Sequence, residues 1–445
     1  MVVEPLRAFD SWFVLLERPG LPMHVGGLAV LDSAARTRGP IRLVELRRRL
    51  RGRLRDLPRL RSRIGQAPLG LRRPLWLPDD NFDVGRHLEH WTLPPGSGQR
   101  ELLELAGQLH GRLLPRDRPL WRVALIEGLS GGRQALLTTT HHAITDGIAG
   151  VEVTRAIFDH PDGEAAPTAA TGDGFFGAGA GPGGLTRALQ AVAGAARYVA
   201  GGPVAAPGPF NGGVGPRRAL ATADLRLDDA VAVKRRLGGS VDDVVLASVA
   251  LGLGAHMERA GWRTEGMRLR ALVPVSTLGG GSGLGNHVTA TFLDLPVDLD
   301  PVRCLHEIAA AKTVHRAWHE PLGLSVALEA AGLAPAALAA PVTWLVSCLP
   351  VAHLIVSDVP GPPEPLSLLG APMVGAYPLM PLTPAIGLSI AVVTIGGAMG
   401  VGITTDPELV PGGDELAGEI GRAFAALLDI AHARRRAAAP GAARR

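Results

Sequence analysis

The chain has 445 residues, with 45 basic against 41 acidic side chains and a formal charge of +4. That excess is small for the length, and arginine carries it, because Lys234 and Lys312 are the only lysines. Aromatics at 4% leave no basic surface interleaved with rings, which argues against a nucleic-acid partner, and a hydrophobic fraction of 47% excludes global disorder.

A chain this long makes two large domains or one very large one. Two cysteines, Cys304 and Cys348, build neither a disulfide framework nor a zinc site, and they fit a reducing, cytoplasmic compartment. The start, MVVEPLRAFD, lacks the basic residues and apolar run of a signal peptide.

Residues 23–31 (MHVGGLAVL) read as a strand. Over 42–57, Leu43, Leu46, Leu50, Leu54 and Leu57 recur at steps of three and four, which predicts an amphipathic helix. Residues 87–93 alternate as a strand, and Leu102, Leu105, Leu109 and Leu113 mark a second helix. A hairpin follows: strand 121–128, a Ser-Gly-Gly turn at 130–132, and a return strand at 135–140. It runs into HHAITDG, after which Gly147 opens a helix over 148–158.

Residues 161–216 are crowded with Gly, Ala and Pro around one short helical pattern at 185–199, and read as a long, mobile crossover. The second half repeats the mixed style. A helix follows Ser240, then come a strand (LRALVPVST), a Gly-rich loop (LGGGSGLGN) and a strand (HVTATFLDLPV). After an apolar helical region there are three more strands, a hairpin over 388–405 and a helix over 415–432. The expected division is an N-terminal domain at 1–160, a linker at 161–216, a C-terminal domain at 217–436 and a frayed tail at 437–445.

The most apolar stretch, residues 324–357, is broken by Glu329, Pro335, Pro341 and Pro350, whereas a spanning helix needs about 20 uninterrupted apolar residues. The expectation is a protein that is soluble or rests on a membrane face or lipid inclusion without crossing it.

The chemistry concentrates in His141-His142-Ala143-Ile144-Thr145-Asp146-Gly147. A strand end lets side chains face a cleft while the backbone stays fixed. Adjacent strand residues point opposite ways, so one histidine at most serves a given site directly. Histidine is the natural side chain for moving a proton near neutrality. An aspartate four residues on orients the local backbone or pairs with an arginine, and the glycine permits a sharp exit. The HHxxxDG pattern arises by chance roughly 0.003 times in such a chain. A metal site fits poorly, because the two histidines diverge and no third cluster supports them. A serine nucleophile fails for want of a GxSxG elbow.

HHAITDG resembles the HHxxxDG motif of CoA-dependent acyltransferases, which include chloramphenicol acetyltransferase and peptide-synthetase condensation domains. MHVGGLAVLD, RPLWRVALIEGL, SVDDVVLA, ALVPVST, LGNHVTATFLDLPVD, SDVPGPPEPLSLLGA and DPELVPGGDEL together resemble the bacterial wax ester synthase/diacylglycerol acyltransferase family, in that family's order.

The resemblance implies an α/β (α+β) fold: two pseudo-symmetric, chloramphenicol-acetyltransferase-like domains with a substrate tunnel between them. It implies transfer of a fatty acyl group from acyl-CoA, the co-substrate, to a long-chain alcohol or diacylglycerol, without a metal or other cofactor. His142 is then the general base, flanked by His141, with Asp146 in a structural ion pair and Gly147 shaping the turn. Asp242, Asp243, Asn286, Pro119 and Trp121 become candidates for substrate contact.

Plainer readings stand beside these. Pro119-Leu120-Trp121 makes a packing unit, Asp242 and Asp243 signal a helix N-terminus, Asn286 starts a strand, and Pro360-Gly361 fixes a turn. The basic run Arg47 to Arg53 is a solvated helix face or a contact for anionic lipid.

The chain departs from the family pattern in three places. Asp242 and Asp358 stand where the family has asparagine, and Leu278 stands where arginine is common. Rival functions are a tailoring acyltransferase for a specialised-metabolite hydroxyl, carrier-dependent condensation, and lipid binding without catalysis.

Overall fold

Two six-stranded sheets organise the protein, and each draws on alternating patterns visible in the sequence. The computed structural model describes residues 3–65, 72–144, 153–159 apart from 155, 205–276, 288–318 and 336–437. The first half holds strands β1 (Glu4–Pro5), β2 (His24–Leu31), β3 (Ser62–Gly65), β4 (Leu75–Pro78), β5 (Leu88–Ser97), β6 (Trp121–Leu129) and β7 (Gln134–His141). Its helices are α1 (Ala8–Leu16), α2 (Leu43–Arg53) and α3 (Gln99–His110). The leucine periodicity expected through residue 57 gives way to a 3-10 turn at Leu54–Asp56, just before Pro58, whose ring and missing N–H do not continue a helix.

The second half holds β8 (Ala219–Arg226), β9 (Arg268–Ser276), β10 (Val288–Pro296), β11 (Leu354–Pro360), β12 (Ser367–Leu368), β13 (Ala371–Leu379), β14 (Leu388–Ile395) and β15 (Ala398–Thr405). Its helices are α4 (Leu227–Leu237), α5 (Val241–Arg259), α6 (Pro301–Trp318), α7 (Ala336–Ser347) and α8 (Gly413–Ala437). Helix α5 is apolar on nearly every side, with Val244, Leu246, Ala247, Val249 and Leu253 fully buried, as befits a helix at the centre of a core.

The sheet orders are β12-β13-β2-β7-β6-β5 and β10-β9-β11-β14-β15-β8. The first sheet therefore takes two strands from the second half: β13 pairs antiparallel with β2, placing Tyr377 opposite Leu28 and Leu379 opposite Gly26. The β15 backbone lies against β13, and a side chain on Gly400 or Gly402 would collide with the carbonyls of Ala376 and Pro378. Tyr377 donates its hydroxyl to Asp224 at 3.0 Å across the same junction.

The end of the expected crossover is built into the core rather than mobile. Phe210 is buried, and the Asn211 side-chain amide donates to the carbonyls of Ala352 and Ala385 at 2.8 and 2.9 Å. The composition misled here because glycine and proline also serve tightly packed, irregular backbone whose polar groups find partners. The rest of that crossover, residues 161–204, lies outside the described residues, as do the Gly-rich loop at 278–286 and the tail from 438.

Candidate active site

Strand β7 ends at His141, and β2 beside it begins at His24, so the pairing brings these two histidines directly opposite each other. The His141 N–H donates to the Leu120 carbonyl at 2.9 Å, and the His142 N–H donates to the Met23 carbonyl at 2.8 Å. The backbone of the motif is thereby fixed from both neighbouring strands.

The side chains diverge, as the alternation of a strand requires. His141 is fully buried, and its Nδ1 accepts the Ala143 N–H at 3.0 Å. That acceptor role leaves the ring proton on Nε2, which lies 3.4 Å from Glu17 Oε1. Burial pushes the His141 pKa down to about 3, and Glu17 only partly offsets this, so the ring is neutral. His142 instead stacks face to face on Phe13, with ring centroids 3.9 Å apart and planes 5° from parallel.

Glu17 is the centre of the buried side. Its Oε1 also lies 3.2 Å from His24 Nε2 and accepts the Met23 N–H at 3.2 Å, while Arg116 pairs with Oε2. Burial pushes its carboxyl up, but the bond from His24, the proximity of His141 and the Arg116 charge outweigh burial and hold it at about 2. Helix α1 thus supplies both supports of the motif, Phe13 from its last turn and Glu17 from its C-cap. Neither residue figured among the sequence candidates. The available signal was Phe9 and Phe13 one helical turn apart, whose rings meet edge to face at 5.1 Å, followed by a lone acid before Pro19.

Trp121 opens β6 as a packing residue. Its indole N–H donates to the Leu60 carbonyl at 2.8 Å and its ring stacks on His87 at 4.1 Å. The Pro119 carbonyl accepts the Trp121 N–H at 2.9 Å, and the intervening Leu120 carbonyl holds His141, so this tripeptide braces the motif. Asp146, Gly147 and Asn286 lie outside the described residues, as does Leu278.

Asp242 and Asp243 sit on the first turn of α5, away from the histidine pair in sequence and sheet. Asp243 closes a capping box with Ser240, accepting the Ser240 N–H at 2.8 Å and donating its own N–H to Ser240 Oγ at 3.2 Å. Lys312 of α6 lies 2.8 Å from Asp243 Oδ1 and 3.8 Å from Asp242 Oδ2. Asp358 of β11 shares a hydrogen bond with Asp242; burial raises its pKa well above the carboxylate range, and the Asp242 charge adds to that against the pull of Lys312. The two positions where the family resemblance expects asparagine are therefore in contact with each other.

Two family models match the chain. The wax ester synthase/diacylglycerol acyltransferase catalytic domain matches residues 6–201 and 174–245, and the WS/DGAT C-terminal domain matches 284–428. The chain belongs to the wax ester synthase/diacylglycerol acyltransferase family. It is accordingly an acyltransferase of that type. Among curated relatives, a Mycobacterium tuberculosis protein named as a diacylglycerol O-acyltransferase is 32% identical over 440 residues, covering 92% of this chain and 87% of the relative. A second M. tuberculosis protein of that name is 29% identical over 453 residues, covering 97% of each chain. The fold matches the wax ester synthase/diacylglycerol acyltransferase of Marinobacter aquaeolei VT8 with a TM-score of 0.70 at 23% identity, over 96% of this chain and 100% of that one. It also matches the first condensation domain of the calcium-dependent antibiotic synthetase, with a TM-score of 0.64 at 20% identity over 97% and 96% of the two chains. The mixed α/β, two-domain architecture expected of the family is the one observed.

Neither of the two cavities described, one lined by α2 arginines and one at the start of α6, is lined by His142. Among the described residues no single helix is long and apolar enough to cross a membrane.

Proposed function

We propose that this acyltransferase moves a fatty acyl group from acyl-CoA to the hydroxyl of a long-chain alcohol or diacylglycerol, with His142 as general base and no cofactor beyond the co-substrate. The alcohol oxygen attacks the thioester carbonyl as His142 takes its proton. The tetrahedral adduct then expels the CoA sulfur, which takes a proton back from the imidazolium, leaving ester and free thiol. No covalent acyl-enzyme forms, because both substrates are held together. General-base catalysis contributes about 10²–10⁴-fold.

The observation that carries this reading is the division of labour in the histidine pair. His141 is enclosed, neutral and committed to Ala143 and Glu17, whereas His142, past the end of the strand, turns to the Phe13 ring and away from that buried cluster. Asp146 and Gly147 keep their supporting roles at the exit of the motif, and Asn286 remains a candidate substrate contact.

The acceptors are lipids, and α7 offers a surface that suits them. Val342, Leu345, Val346 and, just past the helix, Leu349 are 60%, 66%, 40% and 39% exposed at helical spacing. The opposite side of α7 places Trp344 under the Arg18 guanidinium, 3.7 Å from the ring, and packs it with Phe13 around Leu16, Leu21 and Met23. A lipid surface meeting this stripe would lie beside the helix that supports His142.

The test is thiol release from palmitoyl-CoA with hexadecanol, with a diacylglycerol, or with no acceptor. Acceptor-dependent release that collapses about 10²–10⁴-fold in His142→Ala supports the proposal. Release indifferent to both acceptors would remove the lipid acceptors from it.

A further inference from the structure

Charge is spread unevenly along the chain. Residues 36–73 hold 14 arginines against Glu45 and Asp56, a formal +12, and the whole chain carries +4, so the remainder stands at −8. Helix α2 and the turn after it lie at the centre of that segment. One side of α2 places Leu46 and Leu50, with Leu54 just past the helix, in the core that also holds Ala143 and Ile144 of the motif. The other side runs Val44, Arg47, Arg48 and Arg51, continued by Arg55, at steps of three and four. All five are exposed, Val44 by 56%.

Like charges on one side of a helix repel one another, and little nearby offsets these. Arg47 meets Asp83 at 3.0 Å, but among the described residues Arg48, Arg51 and Arg55 have no carboxylate within ion-pair distance. Arg47, Arg51, Arg55 and Arg61 line a cavity of about 770 Å³. The cavity at the start of α6 differs, because there Asp300 and Glu307 stand among Arg303, His306 and Arg434, and Arg303 pairs with Glu307 at 3.0 Å. Positive charge is left uncompensated on the α2 face and is balanced at α6.

The neighbouring side chains decide which anion this face suits. Trp76 is buried beneath the Arg59 guanidinium, 4.6 Å from its ring, and Arg61 lies over Phe82 at 5.6 Å, so neither ring is free to stack on a base. What stands among the arginines is an aliphatic side chain, Val44, which suits the headgroup boundary of a bilayer. Guanidinium forks match phosphate oxygens, and a fluid array of headgroups meets a row of arginines without a fixed ligand geometry.

We propose that the exposed side of α2, formed by Val44, Arg47, Arg48, Arg51 and Arg55, docks on the phosphate headgroups of an anionic bilayer. The contact is electrostatic, unlike any made by the stripe on α7, a helix without a charged residue. It holds the enzyme at the phase in which long-chain alcohols and diacylglycerols dissolve, but it goes beyond the proposed reaction and does not depend on it.

Cosedimentation with phosphatidylcholine vesicles, with and without phosphatidylglycerol, tests it. Wild type binds the anionic vesicles and not the neutral ones, and raised salt releases it, because screening shortens the reach of exposed charges. A basic residue near an anionic surface contributes about fivefold to binding, so Arg48→Gln/Arg51→Gln/Arg55→Gln loses about 100-fold with melting unchanged. The corresponding triple lysine variant keeps the charge and keeps the binding. Wild type that binds neither vesicle at low salt overturns the proposal, as does binding that survives intact in the glutamine variant. Binding lost in Leu345→Ser and retained in the glutamine variant overturns it by assigning the contact to α7. Duplex DNA bound as tightly as the anionic vesicles at the same salt also overturns it, because the face would then be a general polyanion site. No turnover is measured, so failure of the acyl-transfer assay leaves this result standing.

Discussion

Two buried ionic clusters, one in each half of the chain, are built from similar parts and shift their carboxyls in opposite directions. Around Glu17, one carboxylate faces His24, His141 and Arg116, and its pKa is held at about 2. Around Lys312, one ammonium faces Asp242, Asp243 and Asp358, and burial together with the neighbouring Asp242 pushes the Asp358 carboxyl well above its ordinary value. Burial raises the carboxyl pKa in both places. What differs is the neighbour: Glu17 accepts a bond from His24 and pairs with Arg116, whereas Asp358 faces a second carboxyl, Asp242, and that decides the direction in which each acid is shifted. The first cluster holds a carboxylate beneath a histidine pair; the second holds two carboxyls joined by a hydrogen bond.

Removing the first cluster's carboxylate is the largest way to break this contrast. Glu17→Gln leaves Arg116 and two buried imidazoles without their carboxylate, and should cost about 3 kcal/mol at neutral pH. Because the folded pKa lies below the usual 4.5, the stability Glu17 contributes is present above that value and is lost as pH falls toward about 2. Urea unfolding at pH 7 and at progressively lower pH should show the gap between wild type and variant closing. A gap that stays constant across that range would mean that Glu17 acts through packing.

The carboxyl pair gives an effect of opposite sign. A folded pKa raised above the ordinary 3.8 contributes stability that fades as pH rises toward the folded value. Wild type should therefore lose up to about 1.4 kcal/mol per pH unit over part of that range relative to Asp358→Asn, which cannot ionise. Matched unfolding curves at pH 5.5 and 8.5 measure this. Parallel curves would show that Asp358 does not titrate against Asp242.

The smallest change touches His142, the proposed general base. Phe13→Leu keeps an apolar contact but removes the stacked ring, and should lower kcat/KM by about fivefold, or about 1 kcal/mol. Steady-state kinetics on folded protein reads it, and a loss as large as that of His142→Ala would give Phe13 more than an orienting role.

Much of this arrangement was legible in the sequence. The β6–β7 hairpin, the helix capped by Ser240 and the divergence of His141 from His142 follow from local spacing and the period of a strand. The supports of the site did not. Helix α1 has nine residues, and its N-cap Arg7 makes no side-chain cap, so neither length nor capping announces it. Glu17 meets His141 across more than a hundred residues, and no local pattern encodes such a pair. Strand β13 looked like part of the second half and instead completes the first sheet, a choice made by tertiary pairing. Asp242 and Asp358 read as two separate departures from the family pattern, and only the fold shows them to be one hydrogen-bonded pair.

The central claim is that His142 does the chemistry while His141 holds the structure. Measuring acceptor-dependent thiol release and melting temperature together, in His142→Ala and His141→Leu, tests it most directly. The account predicts that His142→Ala abolishes release with melting nearly unchanged, whereas His141→Leu lowers the melting temperature by stranding Glu17 and the Ala143 N–H. A stable His141→Leu that is inactive, beside a His142→Ala that still transfers acyl groups, would contradict it.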